Sequence, residues 1–125
     1  MEESNMYQIL SNVDSNYICH YHKCELGDSI AFMEKTGISF CRIFWKSDIP
    51  ETIYIRDLSV KNEERNKKVG THLLNIVESV CKSIDVKVCR TPVIYNSKLM
   101  FFYEKHGYSY DSEAEDNIVW LNKIL

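Results

Sequence analysis

The spacing of the hydrophobic residues changes abruptly at Val69. Upstream, TIYIRDLSV, residues 52–60, is dense in β-branched and aromatic residues and predicts a strand. Downstream, Val69, Leu73, Leu74, Val77, Val80, Cys81 and Ile84 recur at intervals of three and four, with Thr71, His72, Asn75, Glu78, Ser79 and Lys82 on the opposite side. That spacing predicts an amphipathic helix over residues 67–84. VKVCRTPV, residues 86–93, then reads as a strand that Pro92 closes. Strand, helix and strand in this order require a crossover between neighbouring strands, which sets the fold class as α/β or α+β.

The flanking segments supply more strands. NYICHYHKC, residues 16–24, a turn at Leu26-Gly27-Asp28, SIAFME, a hairpin turn at Lys35-Thr36-Gly37 and ISFCRIFWK, residues 38–46, read as an antiparallel meander. After the crossover, KLMFFYEKH predicts a second helix, with Asn96 or Ser97 at its cap and Gly107 ending it in a left-handed turn. YSYDS and NIVWLNKIL close the chain as two strands. Without repeats, linkers or low-complexity tracts, residues 1–125 are expected to form one domain.

Composition narrows the function. At 45% hydrophobic residues the chain packs a core, and a formal charge of −3 with pI near 5.8 argues against nucleic acid as the partner. No apolar run approaches the roughly 18 residues of a membrane span, and MEESNMYQ lacks the order of a secretion signal, so a cytoplasmic protein is expected. The five cysteines, Cys19, Cys24, Cys41, Cys81 and Cys89, contain no C-x-x-C pair, and reduced thiols packed as small hydrophobes are expected.

RNKKVGTHLL, residues 65–74, places three cations and one glycine in front of the predicted helix. The first N–H groups of a helix lack intrahelical partners and the macrodipole adds positive charge there, so an anion is stabilised at this point. A basic helix start with no ligand is the competing reading. The longer stretch LSVKNEERNKKVGTHLL, residues 58–74, resembles the signature of the GNAT superfamily of acetyl-CoA-dependent N-acetyltransferases. There an apolar-x-Val strand end leads through a short acidic loop to a glycine-rich Arg-Gly-x-Gly-Ile-Gly turn and a helix. Leu58, Val60, Arg65, Val69, Gly70, Leu73 and Leu74 fall in step with it, whereas Asn66 and Lys68 stand where the family has glycine. Asparagine tolerates left-handed backbone, and a Lys68 side chain turned outward adds its charge to the attraction.

NSKLMFFYEKHGY, residues 96–108, resembles a second family block through Asn96, Tyr103, Gly107 and Tyr108. The resemblance implies a mixed, mostly antiparallel central sheet with a splayed strand pair and two main helices. It implies a pantetheine arm lying against Leu58, Ser59, Val60 and Asn96, and a pyrophosphate held by Arg65, Asn66, Lys67, Lys68, Val69, Gly70 and Thr71. Tyr103 is then the general acid near the thioester sulfur. Ordinary core packing is the alternative for Tyr103. For the base, Asp57, Glu51, His20 and His22 are candidates, Asp57 having Arg56 or Arg90 as alternative partners.

CHYHKC places His20, His22 and Cys24 on one strand face at period two, a set that could ligate zinc. With no fourth ligand evident, the favoured reading is a strand with exposed imidazoles, and no metal is expected. The resemblance covers residues 52–125. Family members carry two helices after their first strand, and this chain has little room for both, which implies a shortened N-terminal part and an acceptor site either open or completed in a homodimer. The implied reaction is direct acetyl transfer from acetyl-CoA to a primary amine of a small molecule or protein, with no membrane partner. A catalytically impaired acyl-CoA-binding module of the same fold is the alternative.

Overall fold

The computed structural model describes residues 3–65 and 67–125, with residues 3 and 4 described by backbone alone. The elements are α1 (Glu3–Ser11), β1 (Tyr17–Lys23), β2 (Gly27–Glu34), β3 (Ser39–Lys46), β4 (Thr52–Val60), a 3-10 turn (Asn62–Glu64), α2 (Val69–Ser83), β5 (Val88–Ile94), α3 (Lys98–Lys105), β6 (Ser109–Glu115) and β7 (Ile118–Ile124). The seven strands form one sheet in the order β1-β2-β3-β4-β5-β7-β6. β4 and β5 are its parallel pair, bridged by α2, and the other pairings are antiparallel. The expected mixed, mostly antiparallel sheet with a crossover helix is therefore present.

Several expectations need correction. α1 was not anticipated. Its sequence carries only Met6, Ile9 and Leu10 as an apolar stripe, too little to hold an isolated nine-residue helix, and docking supplies the rest, with Met6 fully buried in the core. α2 begins at Val69, not Lys67, because Lys68 sits at φ +62° in the left-handed region and cannot belong to the helix. β5 runs two residues past Pro92. The last pairing of β5 with β4 is Arg90 opposite Tyr54, so Pro92 falls where one side of the strand has no ladder partner and a missing N–H is tolerated. Gly27 lies inside β2, not in the turn. A Cβ on it would stand 2.3 Å from the Trp45 carbonyl oxygen, so glycine is required by the close approach of β3.

The core lies on one face of the sheet. Cys41 and Ile43 of β3, Ile53 and Ile55 of β4, Cys89 and Val93 of β5 and Leu121 of β7 are buried in one cluster with Leu73, Leu74 and Val77 of α2. α2 packs on β3 and β4, α3 packs on β5, and α1 packs on α2 and β1. Alternate strand positions, including Phe40, Phe44, Tyr54, Arg90 and Trp120, are half-exposed, and Arg42 and Arg56 are exposed. β1 passes to β2 by a three-residue turn, so no helix from that connection covers this second face. The protein is thus a two-layer structure with one open sheet face.

Candidate functional site

β4 and β5 pair over only three positions, Thr52 with Val88 through Tyr54 with Arg90, and then separate. Two features accompany the separation. Asp57 adopts φ +59°, and the β3–β4 register shifts between Phe40 and Arg42, so a bulge turns the second half of β4 away from its course. On the core side the gap is bridged by a side chain: the buried Thr91 hydroxyl of β5 donates to the Ile55 carbonyl of β4 at 3.2 Å. Leu58 and Val60 are half-buried and Ser59 is exposed along the free stretch of β4.

This stretch leads directly into the basic turn. Arg65 Nε donates to the Val60 carbonyl at 3.2 Å, folding the loop back on the strand, and Lys67 Nζ pairs with Glu64 at 3.5 Å. Lys68 is exposed, and its left-handed backbone presents the start of α2. The first N–H to find a helical partner is that of His72, which donates to the Lys68 carbonyl at 3.0 Å, and no side chain among the described residues caps the helix. Val69, Gly70 and Thr71 therefore present an uncapped helix N-terminus edged by cations, the arrangement that favours an anion. Asn66 lies outside the described residues.

The α2 start is held against α3. A Cβ on Gly70 would meet the Phe102 ring at 3.4 Å and a Val60 methyl at 3.5 Å, so glycine there permits close approach without being sterically obligatory. His106, not anticipated as part of the site, locks the junction. Its Nδ1 donates to the Phe102 carbonyl at 2.8 Å, which leaves Nε2 to accept from the Thr71 hydroxyl at 3.0 Å. Of the two cap candidates on α3, Ser97 does the capping, its hydroxyl accepting from the Met100 N–H at 3.1 Å. Asn96 is exposed at φ +62°, its N–H directed at the Met100 sulfur at 3.2 Å. Gly107 ends the helix at φ +94° as expected.

Tyr103 is fully buried beneath the gap. Its ring meets Phe102 at 5.6 Å and Tyr108 at 5.0 Å, edge to face. Burial pushes its phenol well above the ordinary tyrosine range, with the neighbouring Cys41 adding to the rise and a hydrogen bond with Thr91 opposing it. The hydroxyl is thus kept protonated next to the residue that bridges the two strands.

The base candidates separate clearly in space. Asp57 stands at the gap, where its carboxylate is 3.8 Å from Arg42 and not paired to Arg56 or Arg90. Glu51 lies at the closed end, its carbonyl accepting from Lys87 and Val88, roughly 20 Å along the strand from Asp57 at about 3.3 Å per residue. His20 and His22 are exposed on the edge strand, three strands from β4. Among the described residues no group of three or more His, Cys, Asp or Glu is placed to hold a metal ion. No helix among them is long and apolar enough to cross a membrane.

Two cavities lie elsewhere. One of about 900 Å³ sits between the start of α3 and the β6–β7 hairpin, lined by Tyr95, Met100 and Tyr110 with Glu113, Glu115 and Asp116. Another of about 350 Å³ separates α1 from α2. Neither includes the basic turn or the β4–β5 gap.

A sheet with a splayed parallel pair and a cationic helix start at its mouth is a fold shared with known acyltransferases. A family model for the acetyltransferase (GNAT) domain matches residues 20–110, and the chain belongs to this family. Among solved structures it is similar to the PaiA N-acetyltransferase of Thermoplasma acidophilum in complex with coenzyme A (TM-score 0.66, 22% identity, 78% of this chain and 60% of that one). It is also similar to a GNAT family acetyltransferase from Elizabethkingia anophelis with acetyl-CoA bound (TM-score 0.65, 15% identity, 90% and 100%). The third is the IAA acetyltransferase of Bacillus cereus (TM-score 0.65, 16% identity, 81% and 79%). No curated protein matches the sequence.

Proposed function

We propose that this protein transfers the acetyl group of acetyl-CoA to a primary amine by direct attack in a ternary complex. The observation that carries this is the uncapped, cation-edged start of α2 standing at the mouth of the β4–β5 gap. Its free N–H groups and the charges of Arg65, Lys67 and Lys68 suit a pyrophosphate. Leu58, Ser59 and Val60, which have no β5 partner, offer free backbone to a pantetheine arm, which can add to them as a strand would. Asn96 stands exposed at the facing helix start, suited to the arm's amides.

In the transfer, the amine nitrogen forms a bond to the thioester carbonyl carbon, the carbon–sulfur bond breaks, and the amine proton leaves. The products are an amide and free coenzyme A. Asp57 is the carboxylate beside the gap and is assigned to receive the amine proton, directly or through water. Tyr103 is assigned to the sulfur side. A simple thiol has a pKa of about 8.5, below that of the buried phenol, so complete proton transfer from Tyr103 is uphill. Its contribution is a hydrogen bond to the developing thiolate, with solvent completing the protonation.

A specific observation favours a second reading, an acyl-CoA-binding module without turnover. Tyr103 is fully buried, and the Thr91–Ile55 bridge closes the core side of the gap, so the phenol must be uncovered before it meets a sulfur. Calorimetry with acetyl-CoA and a thiol-release assay on Tyr103→Phe separate the two. The enzyme predicts about 10²-fold loss of kcat with acetyl-CoA affinity retained. Binding without thiol release for any amine supports the module. A Gly70→Trp variant, which crowds the helix start against Phe102, is expected to abolish binding under either reading.

A further inference from the structure

We propose that the acceptor approaches from the open face of the sheet and carries an anionic group, which Arg56 recognises. This deepens the acetyl-transfer reading above and rests on it. The gap is bridged towards the core by the Thr91–Ile55 hydrogen bond and lies open on the other face of the sheet. The α2 start and Asn96 lie on the helical face, so a cosubstrate held there leaves the open face to the amine. Around the mouth on that face stand Tyr54 and Arg56 from β4, Arg90 and Pro92 from β5, and Arg42 from the adjoining β3.

The charge there differs from that of the chain as a whole. Three guanidinium groups surround the mouth in a protein of net charge −3. Each is laid over an aromatic ring: Arg56 over Phe44 at 5.0 Å, Arg90 over Trp120 at 4.8 Å and Arg42 over Phe40 at 5.7 Å. Phe44 and Tyr54 stack at 5.2 Å, and Trp120 meets Tyr54 edge-on at 5.7 Å, so the platform beneath the guanidinium groups is stiff. Asp57 neutralises Arg42, and Asp111 neutralises Arg90 at 3.2 Å. Arg56 is exposed and has no carboxylate partner among the described residues. A carboxylate or phosphate on the acceptor complements this surface, since arginine binds either in a bidentate way. A polycationic amine would face uncompensated like charge.

The test measures kcat/KM with saturating acetyl-CoA for four primary amines: glutamate, O-phosphoethanolamine, tyramine and spermidine. The expected order places at least one anionic amine about tenfold or more above spermidine, as one charge-assisted contact predicts, and the glutamate and phosphoethanolamine arms decide which anion is read. Arg56→Met, which keeps the packing on Phe44, should erase that preference, Arg56→Lys should retain part of it, and Arg56→Glu should reverse it, all with acetyl-CoA affinity unchanged. Spermidine preferred by the parent protein, or an unchanged ratio in Arg56→Met, overturns the inference while acetyl transfer stands. Thiol release with none of the amines, despite acetyl-CoA binding, overturns the transfer reading and this inference with it.

Discussion

Lys68 and Tyr108 each test a local physical claim. Lys68 holds φ +62° with no hydrogen bond or ion pair of its side chain among the described residues, and a non-glycine residue there stores backbone strain. Lys68→Gly is expected to raise stability by up to about 1 kcal/mol in urea unfolding, because it removes the Cβ penalty from a position that is not helical. A destabilised variant would show that the loop gains more from the cation than it loses in strain. Tyr108 is buried, and its hydroxyl donates to Glu78 Oε2 at 2.7 Å, while Lys123 holds the other carboxylate oxygen at 2.9 Å. Tyr108→Phe leaves a buried carboxylate oxygen without its donor, and a cost of about 1–3 kcal/mol is expected. Thermal unfolding unchanged by that substitution would mean that water replaces the phenol.

The helices differ in how much of their stability is their own. α3 spans only eight residues, too short to persist alone, so its cap and its packing set its position. Ser97→Ala removes the acceptor from the Met100 N–H, and a loss of about 1 kcal/mol is expected. Because α3 carries Tyr103 and its cap adjoins Asn96, the same variant should weaken acetyl-CoA binding although Ser97 itself lies outside the assigned contacts; calorimetry unchanged from the parent would separate the cap from the site. α1 depends on its neighbours in another way. Asp14, just beyond it, lies 3.1 Å from His72 of α2, and its carboxyl is held below the usual range first by the Asn16 backbone N–H and then by His72. The segment is fastened at both ends, by Met6 in the core and Asp14 at the surface.

Across the whole molecule, burial of weak acids governs the alkaline limit. Burial pushes the Cys41 thiol up to about 12 and that of Cys19 to about 11, from an ordinary 9.0, and Tyr17, Tyr103 and Tyr108 are also raised. Each group stays protonated in the fold beyond the pH at which it ionises in the unfolded chain. The unfolded state therefore releases protons first, and stability present below pH 9 falls as pH rises from 9 towards 12. Each fully buried group contributes roughly 1.4 kcal/mol per pH unit within its window. Urea midpoints between pH 8 and 11 should decline steadily, and Cys41→Ala should flatten the slope. A pH-independent midpoint in the parent protein would contradict the burial of these thiols.

The sequence by itself determined the strands, α2 and α3, the crossover and the basic turn, because hydrophobic period and cap residues are local properties. Gly107 could be read as a helix end for the same reason, with Asn96 or Ser97 at the helix start until the structure decided for Ser97, and the family signature was legible as contiguous runs. Tertiary structure decided what depends on residues far apart in the chain. α1 exists through docking, and Pro92 sits mid-strand because β4 has already departed. Tyr103 lies buried under the Thr91–Ile55 bridge, and Asp57 pairs with Arg42 instead of its sequence neighbour. Arg42, Arg56 and Arg90 are separated along the chain, and only the register of three strands gathers them on one open face. Side-chain period tells that a strand has two faces; which of them the helices cover is settled by how the sheet packs.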